Sequence, residues 1–272
     1  MRCRYIILFI GLLFGTNLFA QQVAGRVVDA ATGNAVSYVN IGILHKNIGT
    51  VSDENGNFTL FTAGALPTDT VKFSCIGYSN LALTVAAATN SNGKYSLVPK
   101  TLAIKTVVVK PVYTQLLTAG VKTLSKRITG GFTSNDLGSE LGTVFNYKKN
   151  KPGVLKNVSF SIAKSGYDTV VFRLNVYKMA NGLPGDNILT EPIFVKTVVK
   201  NGVVTTDLSK YNIAVEGPIF VSIEWVRDLF GGQLFFSFKL LKKVSFARKT
   251  SQADWVAIPG GVAIWGTIET EK

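Results

Sequence analysis

Residues 25–78 decide the fold of the chain, because they hold short apolar segments separated by glycine and other turn-forming residues. The stretch reads, in order, GRVVD at 25–29, TGNA at 32–35, YVNIGI at 38–43, GTVSDENGNF at 49–58 and FSCIGY at 73–78. Valine, isoleucine and aromatic residues favour extended backbone, whereas Gly, Asn and Asp favour turns. The pattern therefore predicts a small β-domain from about residue 22 to residue 97.

Alternation within this stretch indicates which side chains are buried. Val39, Ile41 and Ile43 alternate with polar or small residues, so we expect the three aliphatic side chains on one buried face. Residues 53–57 (DENGN) predict a hairpin turn. Further strands are expected at residues 69–75 and 80–86.

The order and spacing of the five motifs closely resemble the carboxypeptidase-regulatory-like domain. In that family the motifs belong to a small transthyretin-like β-sandwich, common in envelope proteins of Bacteroidetes-type bacteria. Residues 104–111 (IKTVVVKP) also resemble the short β-segment that follows this module in its relatives, including those that precede TonB-dependent outer-membrane receptors. The resemblance implies an accessory module that carries no catalytic site.

The first twenty residues have the composition of a secretory signal peptide. Arg2 and Arg4 supply a basic start, an apolar stretch follows at residues 5–14, and Ala20 ends a cleavage site. The apolar stretch is shorter than the ~20 residues that a transmembrane helix needs. We therefore expect cleavage after Ala20, export to the periplasm, the outer-membrane surface or beyond, and no transmembrane segment in the mature chain.

Export would leave Cys75 as the single cysteine of the mature chain, because Cys3 lies in the signal peptide. One cysteine forms no internal disulfide. Cys75 alternates with Phe73 and Val71 on one strand face, and a buried free cysteine behaves as a small hydrophobic residue. We therefore expect Cys75 in the core and not in redox chemistry.

The chain is strongly basic, with a formal net charge of +13. An exported protein rarely meets nucleic acid, so we expect no nucleic-acid partner. Anionic envelope surfaces and acidic polysaccharides are better electrostatic partners for a basic protein in this compartment.

Residues 98–131 are predicted to connect the first domain to a second one. Four apolar residues in this segment recur at helical spacing: Leu117, Val121, Leu124 and Ile128. The spacing predicts a short amphipathic helix over residues 114–128, which Gly130 and Gly131 would end.

Residues 132–272 are predicted to form a second β-domain. Alternating or apolar runs predict its strands at residues 158–162, 170–176, 219–225, 234–238 and 262–268. Residues 181–187 (NGLPGDN) predict a long turn, and Trp225 is expected in the core. About seven or eight such strands are typical of a jelly-roll-like sandwich. The predicted architecture is all-β, with two β-sandwich domains joined by a short, partly helical connector.

Residues that catalysis would need are sparse. His45 is the single histidine, and it lacks partners for a zinc site, which takes about three or four N, S or O ligands. We expect His45 to be exposed. No serine lies in a nucleophile-elbow pattern, and no double glycine opens a helix as a phosphate-binding loop requires. Glu224 alternates with the apolar residues of its strand, so we expect it to face solvent or the mouth of a cleft. The sequence thus predicts no enzyme activity, no metal and no cofactor.

A binding surface is the better interpretation of the second domain. Residues 177–185 resemble jelly-roll modules of secreted bacterial adhesins and carbohydrate-binding proteins. Aromatic rings stack on sugar or peptide faces, while amides, acids and guanidinium groups fix the orientation of the ligand. Two groups of residues offer this combination: Trp255 with Asp254 and Arg248, and Tyr167 with Asp168.

The sequence therefore predicts a non-enzymatic exported protein of the cell envelope, a binding or structural module that recognises a carbohydrate or a surface or receptor protein. One alternative, from residues 104–111, is a periplasmic accessory of a TonB-dependent outer-membrane uptake system. A second alternative is a hydrolase acting on polysaccharide, because two carboxylates ~5–10 Å apart suffice for that chemistry.

Overall fold

The computed structural model of the protein describes residues 22–100, 114–132, 136–147, 152–198, 202–229 and 232–272, without the side chains of 242–244. The predicted signal peptide and residues 104–111 lie outside this part of the chain. Most of the described residues are in β-strands, so the predicted all-β class is confirmed. No helix within the described ranges is long and apolar enough to cross a membrane.

The first domain is a sandwich of two small sheets. Between residues 22 and 100 the elements are β1 (Gln22–Asp29), β2 (Asn40–Ile43), β3 (Gly49–Val51), β4 (Asn57–Phe61), β5 (Thr70–Ser74), β6 (Leu81–Thr84), α1 (Val85–Thr89) and β7 (Lys94–Leu97). One sheet has the order β4-β1-β7 and the other β3-β2-β5-β6. In the first of these, β1 pairs antiparallel with β4 and parallel with β7.

The core of the first domain lies between these two sheets. Val39, Ile41 and Ile43 are fully buried, which confirms the prediction from alternation. The rings of Phe73 and Tyr95, one from each sheet, stack with their centroids 4.7 Å apart. Aromatic contacts of this kind add to the burial of apolar area that holds the two layers together.

The predicted hairpin turn at residues 53–57 is confirmed. Asp53 Oδ1 accepts hydrogen bonds from the amides of Asn55 and Asn57, both at 2.8 Å. Gly56 has φ +77°, and a Cβ there would lie 2.5 Å from the carbonyl oxygen of Val27. The turn therefore needs glycine for its backbone angle and for its close approach to β1.

The strand predicted at residues 80–86 ends early. Strand β6 stops at Thr84, whose Oγ1 accepts a hydrogen bond from the amide of Ala87 at 3.1 Å and so begins α1. Threonine is a favoured helix N-cap, and the three alanines at 86–88 favour helix over strand. The strand prediction is wrong beyond Thr84 for this reason.

The second domain is built on one large, folded sheet. From residue 114 onward the described strands are β8 (Thr114–Gly120), β9 (Thr129–Phe132), β10 (Glu140–Phe145), β11 (Pro152–Ser165), β12 (Thr169–Ala180), β13 (Leu183–Asn187), β14 (Ile193–Val198), β15 (Gly202–Asp207), β16 (Ile213–Glu216), β17 (Ile219–Trp225), β18 (Leu234–Arg248), β19 (Val256–Val262) and β20 (Ile264–Glu271), with a 3-10 turn at Ser209–Tyr211. The main path of hydrogen-bonded strands is β13-β12-β17-β10-β18-β11-β20-β8.

The sheet folds into two layers, and the long strand β18 runs through both of them. Its first residues pair with β11 and β9, and its last residues pair with β10 and β19. Phe160 on β11 and Phe172 on β12 meet edge to face between the layers, with ring centroids 6.1 Å apart. Trp225 is 1% exposed and packs against Phe172, so its predicted place in the core is confirmed.

The predicted helix over residues 114–128 is wrong. Residues 114–120 form strand β8, which pairs with β20 from Thr114 opposite Glu271 to Gly120 opposite Trp265. Apolar residues four positions apart, such as Leu117 and Val121, lie on one face of a strand as well as on one face of a helix. Pairing with β20 satisfies the backbone of the segment, whereas an isolated helix of this length is marginal in water.

The double glycine after this segment does not end a helix. Gly130 and Gly131 lie in β9, which pairs with the start of β18. A Cβ on Gly131 would lie 2.1 Å from the carbonyl oxygen of Leu234, so the two strands approach too closely for a side chain there.

The long turn predicted at residues 181–187 is shorter in the structure. Asn181 and Gly182 have φ of 51° and 79°, as the two-residue turn of a tight hairpin requires. The chain then returns as β13, which pairs with β12. The hairpin brings Asp186 and Asn187 to the surface that faces the first domain.

Candidate functional site

Four charged side chains form a row across the sheet of the second domain. Strands β12, β17, β10 and β18 lie side by side. Their register places Arg173 opposite Glu224, Glu224 opposite Glu140, and Glu140 opposite Arg248. Both carboxylates are fully buried, and Arg173 is 3% exposed. Charges buried to this extent require charged or hydrogen-bonding partners.

Each carboxylate of the row is paired with an arginine. Arg173 donates from Nε to Glu224 Oε2 at 2.9 Å, and its Nη2 lies 2.8 Å from the same oxygen. Arg248 Nη2 lies 2.5 Å from Glu140 Oε2 and 3.9 Å from Glu224 Oε1. The two negative charges are thus compensated by two positive charges from the outer strands of the row.

Neutral side chains from the same strands complete the network. Asn175 Nδ2 donates to Glu140 Oε1 at 2.9 Å and to Glu224 Oε2 at 2.8 Å, so one amide bridges the two carboxylates. The hydroxyl groups of Tyr177 and Ser222 both donate to Glu140 Oε1, at 2.9 and 2.5 Å. Together these contacts hold the two carboxylates in a fixed arrangement.

Burial and neighbouring charges raise the pKa values of Tyr177 and of the two arginines. Burial, reinforced by the Glu140 carboxylate, raises the pKa of Tyr177 well above its ordinary value. Burial by itself would lower the pKa of Arg173 and of Arg248, but the carboxylates of Glu224 and Glu140 raise both above the ordinary arginine value. The arginines therefore stay charged and the phenol stays neutral throughout the physiological pH range.

The network extends into the first domain through Arg173. Its Nη1 donates to the backbone carbonyl of Tyr38 at 2.5 Å, and its Nη2 donates to Asn40 Oδ1. A second polar contact joins Gln252 Nε2 to Ser74 Oγ at 2.8 Å. These hydrogen bonds join β12 and the loop after β18 to the sheet that contains β2 and β5.

Two glycines allow the backbones of the two domains to approach closely. A Cβ on Gly42 would lie 2.2 Å from the carbonyl oxygen of Ser251, and a Cβ on Gly49 would lie 2.5 Å from the same atom. The loop at Ser251 therefore packs directly on β2 and β3. The contact fixes the walls of the space that remains between the domains.

That space is a cleft of about 500 Å³ beside the charged row. The first domain lines it with Asn40, Lys72, Ser74, Cys75, Tyr78 and Lys100. The second domain lines it with Arg173, Asn175, Tyr177, Asp186, Asn187, Arg248, Gln252 and Trp255. The volume falls within the ~300–1,000 Å³ that small-molecule sites occupy.

Trp255 is the largest of the three aromatic side chains that line this cleft, the others being Tyr78 and Tyr177. It is half-buried and packs edge to face on Phe220 and Tyr177, with ring centroids 5.1 and 5.7 Å away. The guanidinium of Arg248 lies over the ring, 4.8 Å from its centroid. The salt bridge of Arg248 to Glu140 holds the guanidinium, which in turn helps to hold the indole.

Comparison with known proteins identifies the first domain. Residues 23–109 match the family described as CarboxypepD_reg-like domain. This part of the chain is a carboxypeptidase-regulatory-like domain. The predicted resemblance is thereby confirmed, and the cleft lies between the regulatory-like domain and the second sandwich. No curated protein matches the chain.

Two solved structures show distant similarity to most of the chain. One contains the cysteine protease and lectin-like domains of Cwp84, a surface-layer-associated protein of Clostridium difficile, with 9% identity and a TM-score of 0.39. The other is a clostridial Cwp84 cysteine protease variant after propeptide cleavage, with 11% identity and a TM-score of 0.40. They cover 86% and 87% of this chain, which in turn spans 59% and 66% of theirs, less than two thirds of each. Similarity at this level carries no information about activity.

Two of the five predicted site residues, Arg248 and Trp255, line the cleft together. Asp254 points elsewhere, because its Oδ1 lies 2.7 Å from Nδ1 of His45 in the regulatory-like domain. The His45 side chain is 79% exposed, which confirms its predicted exposure.

The other two predicted residues lie away from the cleft. The ring of Tyr167 packs against Trp225, with centroids 5.4 Å apart, and Asp168 is exposed at the start of β12. Neither residue lines the space between the domains.

The predicted exposure of Glu224 is wrong. All seven residues of β17 are buried, because the second face of this strand is covered by Tyr177, Phe246 and Trp255 as well as by the charged row. Sequence reasoning also missed Glu140, Arg173, Asn175 and Tyr177. The polar residues at alternate positions of β12 were the available signal, but their partners depend on strand register.

A second cavity, of about 590 Å³, lies elsewhere between the domains. Its lining includes Tyr38, Asp53, Glu54, Arg227 and Asp228. The Tyr38 hydroxyl donates to Glu54 Oε1 at 2.8 Å, and Arg227 lies 3.7 Å from the same carboxylate. These polar groups satisfy one another, and the Tyr38 ring packs on Phe194. The smaller cleft, with its supported indole, is therefore the better candidate.

Cys75 lies at the wall of the smaller cleft and is half-buried against the core of the regulatory-like domain. Burial raises the pKa of its thiol, which disfavours the reactive thiolate. Within the described ranges, no group of three or more His, Cys, Asp or Glu side chains is placed to hold a metal ion.

Proposed function

We propose that the protein is an exported, non-enzymatic binding protein of the cell envelope, and that it holds a carbohydrate in the cleft between its domains. The observation that carries the proposal is the Trp255 ring, which lines the cleft beneath the fixed guanidinium of Arg248. Phe220 and Tyr177 pack edge to face with this indole, so its position is already fixed and it needs little further ordering when a ligand packs against it.

The other cleft groups suit the polar edges of a sugar. A pyranose ring offers an apolar face of C–H groups and a rim of hydroxyl groups that both donate and accept. Asn40, Asn187 and Gln252 line the cleft with amide groups that can do the same. An aromatic side chain combined with a few polar groups that fix orientation is common in ligand sites.

The position of the acids supports binding over hydrolysis. Glu140 and Glu224 both accept a hydrogen bond from the Asn175 amide, so two carboxylates lie side by side, as the hydrolase alternative requires. Both are fully buried and held by arginines, whereas a glycosidase acid must reach the glycosidic oxygen. Asp186 is the one carboxylate among the described cleft residues. The TonB-linked alternative rests on residues 104–111, outside the described chain, and stays a prediction.

The test is carbohydrate binding by residues 21–272. We expect a hit on an array of neutral and acidic oligosaccharides, confirmed by calorimetry. Trp255→Ala should weaken binding about tenfold, because aromatic stacking contributes ~1–1.5 kcal/mol. Phe61→Ala is the matched control, since Phe61 is 69% exposed and lies outside the cleft; it should bind as the wild type does.

Three outcomes would overturn the proposal. The first is an array with no ligand, and the second is equal affinity of Trp255→Ala and wild type. The third is release of reducing ends from a bound polysaccharide by the wild-type protein, which would show an enzyme.

A further inference from the structure

We infer that the ligand of the cleft is an anionic saccharide, that is, a sugar chain with carboxylate groups such as a uronate. The inference rests on the proposed carbohydrate function and names the class of ligand for the same site. It follows from the distribution of charge around the cleft.

The lining of the cleft carries an excess of positive charge. Four cationic side chains line it, namely Lys72, Lys100, Arg173 and Arg248, against one carboxylate, Asp186. Glu140 and Glu224 lie behind the lining, fully buried, and compensate the two arginines, so the net excess of charge comes from the two lysines against Asp186. A ligand in the cleft therefore contacts the guanidinium and amide donors directly, whereas the carboxylates of Glu140 and Glu224 lie beyond its reach.

Among the residues that the structure describes, the side chains of the two lysines have no ion-pair partner. Lys72 is half-buried on β5 and Lys100 is exposed, and neither forms an ion pair with any described residue. The amide of Lys100 donates to the carbonyl of Gly77 at 2.8 Å, which anchors its backbone at the rim. Asp254 is next to Trp255 in the sequence, but its carboxylate contacts His45.

The charged row leaves a further donor available. Arg248 Nε is buried and has no hydrogen-bond partner among the described residues, while Nη2 of the same group is bound to Glu140. Buried unpartnered donors are rare, because each one costs part of its hydration energy. An anionic ligand in the cleft would compensate the charge of these lysines and offer an acceptor to this donor, because all three residues line the same space.

The probes are tetragalacturonate and its fully methyl-esterified form, which has the same sugar rings without the charges. We expect wild-type residues 21–272 to bind the acid about tenfold more tightly than the ester at low salt. The preference should shrink as sodium chloride is raised, because exposed charges are screened.

The double variant Lys72→Gln, Lys100→Gln should lose the preference and keep its affinity for the ester. Lys94→Gln, Lys122→Gln is the matched control: both lysines are exposed outside the cleft and the net charge falls equally. It should keep the preference. If it loses the preference as the cleft variant does, general charge attraction explains the binding and the inference is overturned.

The remaining outcomes separate this inference from the proposed function. Equal binding of acid and ester by the wild type, with loss of both in Trp255→Ala, overturns the anionic ligand and leaves carbohydrate binding in place. Binding of neither these probes nor any array sugar overturns both.

Discussion

Replacing Arg173 with methionine should destabilise the protein by about 3–5 kcal/mol, the range seen when one partner of a buried ion pair is removed. Methionine fills similar space without the charge. The variant loses both contacts to Glu224, at 2.9 and 2.8 Å, as well as those to Tyr38 and Asn40 in the regulatory-like domain. Glu224 then keeps Asn175 at 2.8 Å, with Arg248 3.9 Å away, and its charge remains fully buried.

A double variant separates the cost of the orphaned charge from loss of packing. In Arg173→Met, Glu224→Met no carboxylate is left unpaired, so most of the lost stability should return. We expect a deficit of ~1–2 kcal/mol, from the unmade hydrogen bonds of Tyr38, Asn40 and Asn175. The coupling free energy between the two positions should therefore be about 2 kcal/mol or more.

The assay is urea unfolding followed by tryptophan fluorescence, in which Trp225 reports on the core of the second domain. Lys156→Met is the matched control, because the Lys156–Glu269 pair at 3.2 Å is about one-third exposed on each side. An exposed pair contributes ~0–1 kcal/mol. The reasoning is refuted if Arg173→Met costs no more than this control, or if the double variant is less stable than the single one.

Two further predictions concern the domain contact and alkaline stability. Gly42→Ala should separate the domains and weaken ligand binding, because its Cβ would lie 2.2 Å from the Ser251 carbonyl oxygen; Gly166→Ala, whose nearest contact would be 3.4 Å away, is the control. Small-angle scattering should show a larger radius of gyration for Gly42→Ala alone, and an unchanged radius would contradict the close contact. Burial, helped by the charge of Glu216, raises the pKa of Tyr147 to about 12 from an ordinary value of 10.0. A phenol with a raised folded-state pKa contributes stability that is complete below pH 10 and is lost as the pH rises toward 12. Tyr147→Phe should therefore remove one late step from the absorbance titration and reduce the loss of stability in that window. Tyr211→Phe, at a half-buried tyrosine with Lys210 over its ring, is the comparison variant. An unaltered late phase in Tyr147→Phe would count against the assignment.

Local patterns predicted much of the regulatory-like domain because its structure depends on nearby residues. The turn at residues 53–57 is held by Asp53 with the amides of Asn55 and Asn57, all within one short motif. The buried face of β2 follows directly from alternation. Secondary structure could not be predicted reliably where the apolar spacing fits both a helix and a strand. Residues 114–128 were predicted as a helix, but residues 114–120 form a strand.

The candidate site was predictable only in part. Trp255 and Arg248 are near in sequence, and their chemistry alone suggested a common surface. The charged row could not be predicted, because residues that are neighbours in the row are 51 to 108 residues apart along the chain and meet through the register of four strands. A shift of one residue in any of these pairings would turn the charged side chains to the opposite face. The prediction that Glu224 faces solvent or the mouth of a cleft fails for a different reason, because alternation identifies the two faces of a strand but not what covers the second one.

The cleft belongs to the pair of domains and not to either one alone. Lys72 and Lys100 come from the regulatory-like domain, whereas Trp255 and Arg248 come from the second domain. Arg173 stabilises the domain contact most. If the domains separated, its buried guanidinium would lose its hydrogen bonds to Tyr38 and Asn40 and would keep only those to Glu224. Breaking the exposed contacts His45–Asp254 and Arg227–Glu54 would cost little free energy by comparison, because water solvates these groups in either state. The orientation of the domains, and with it the width of the cleft, therefore depends chiefly on one buried arginine and on the glycines that let Ser251 approach.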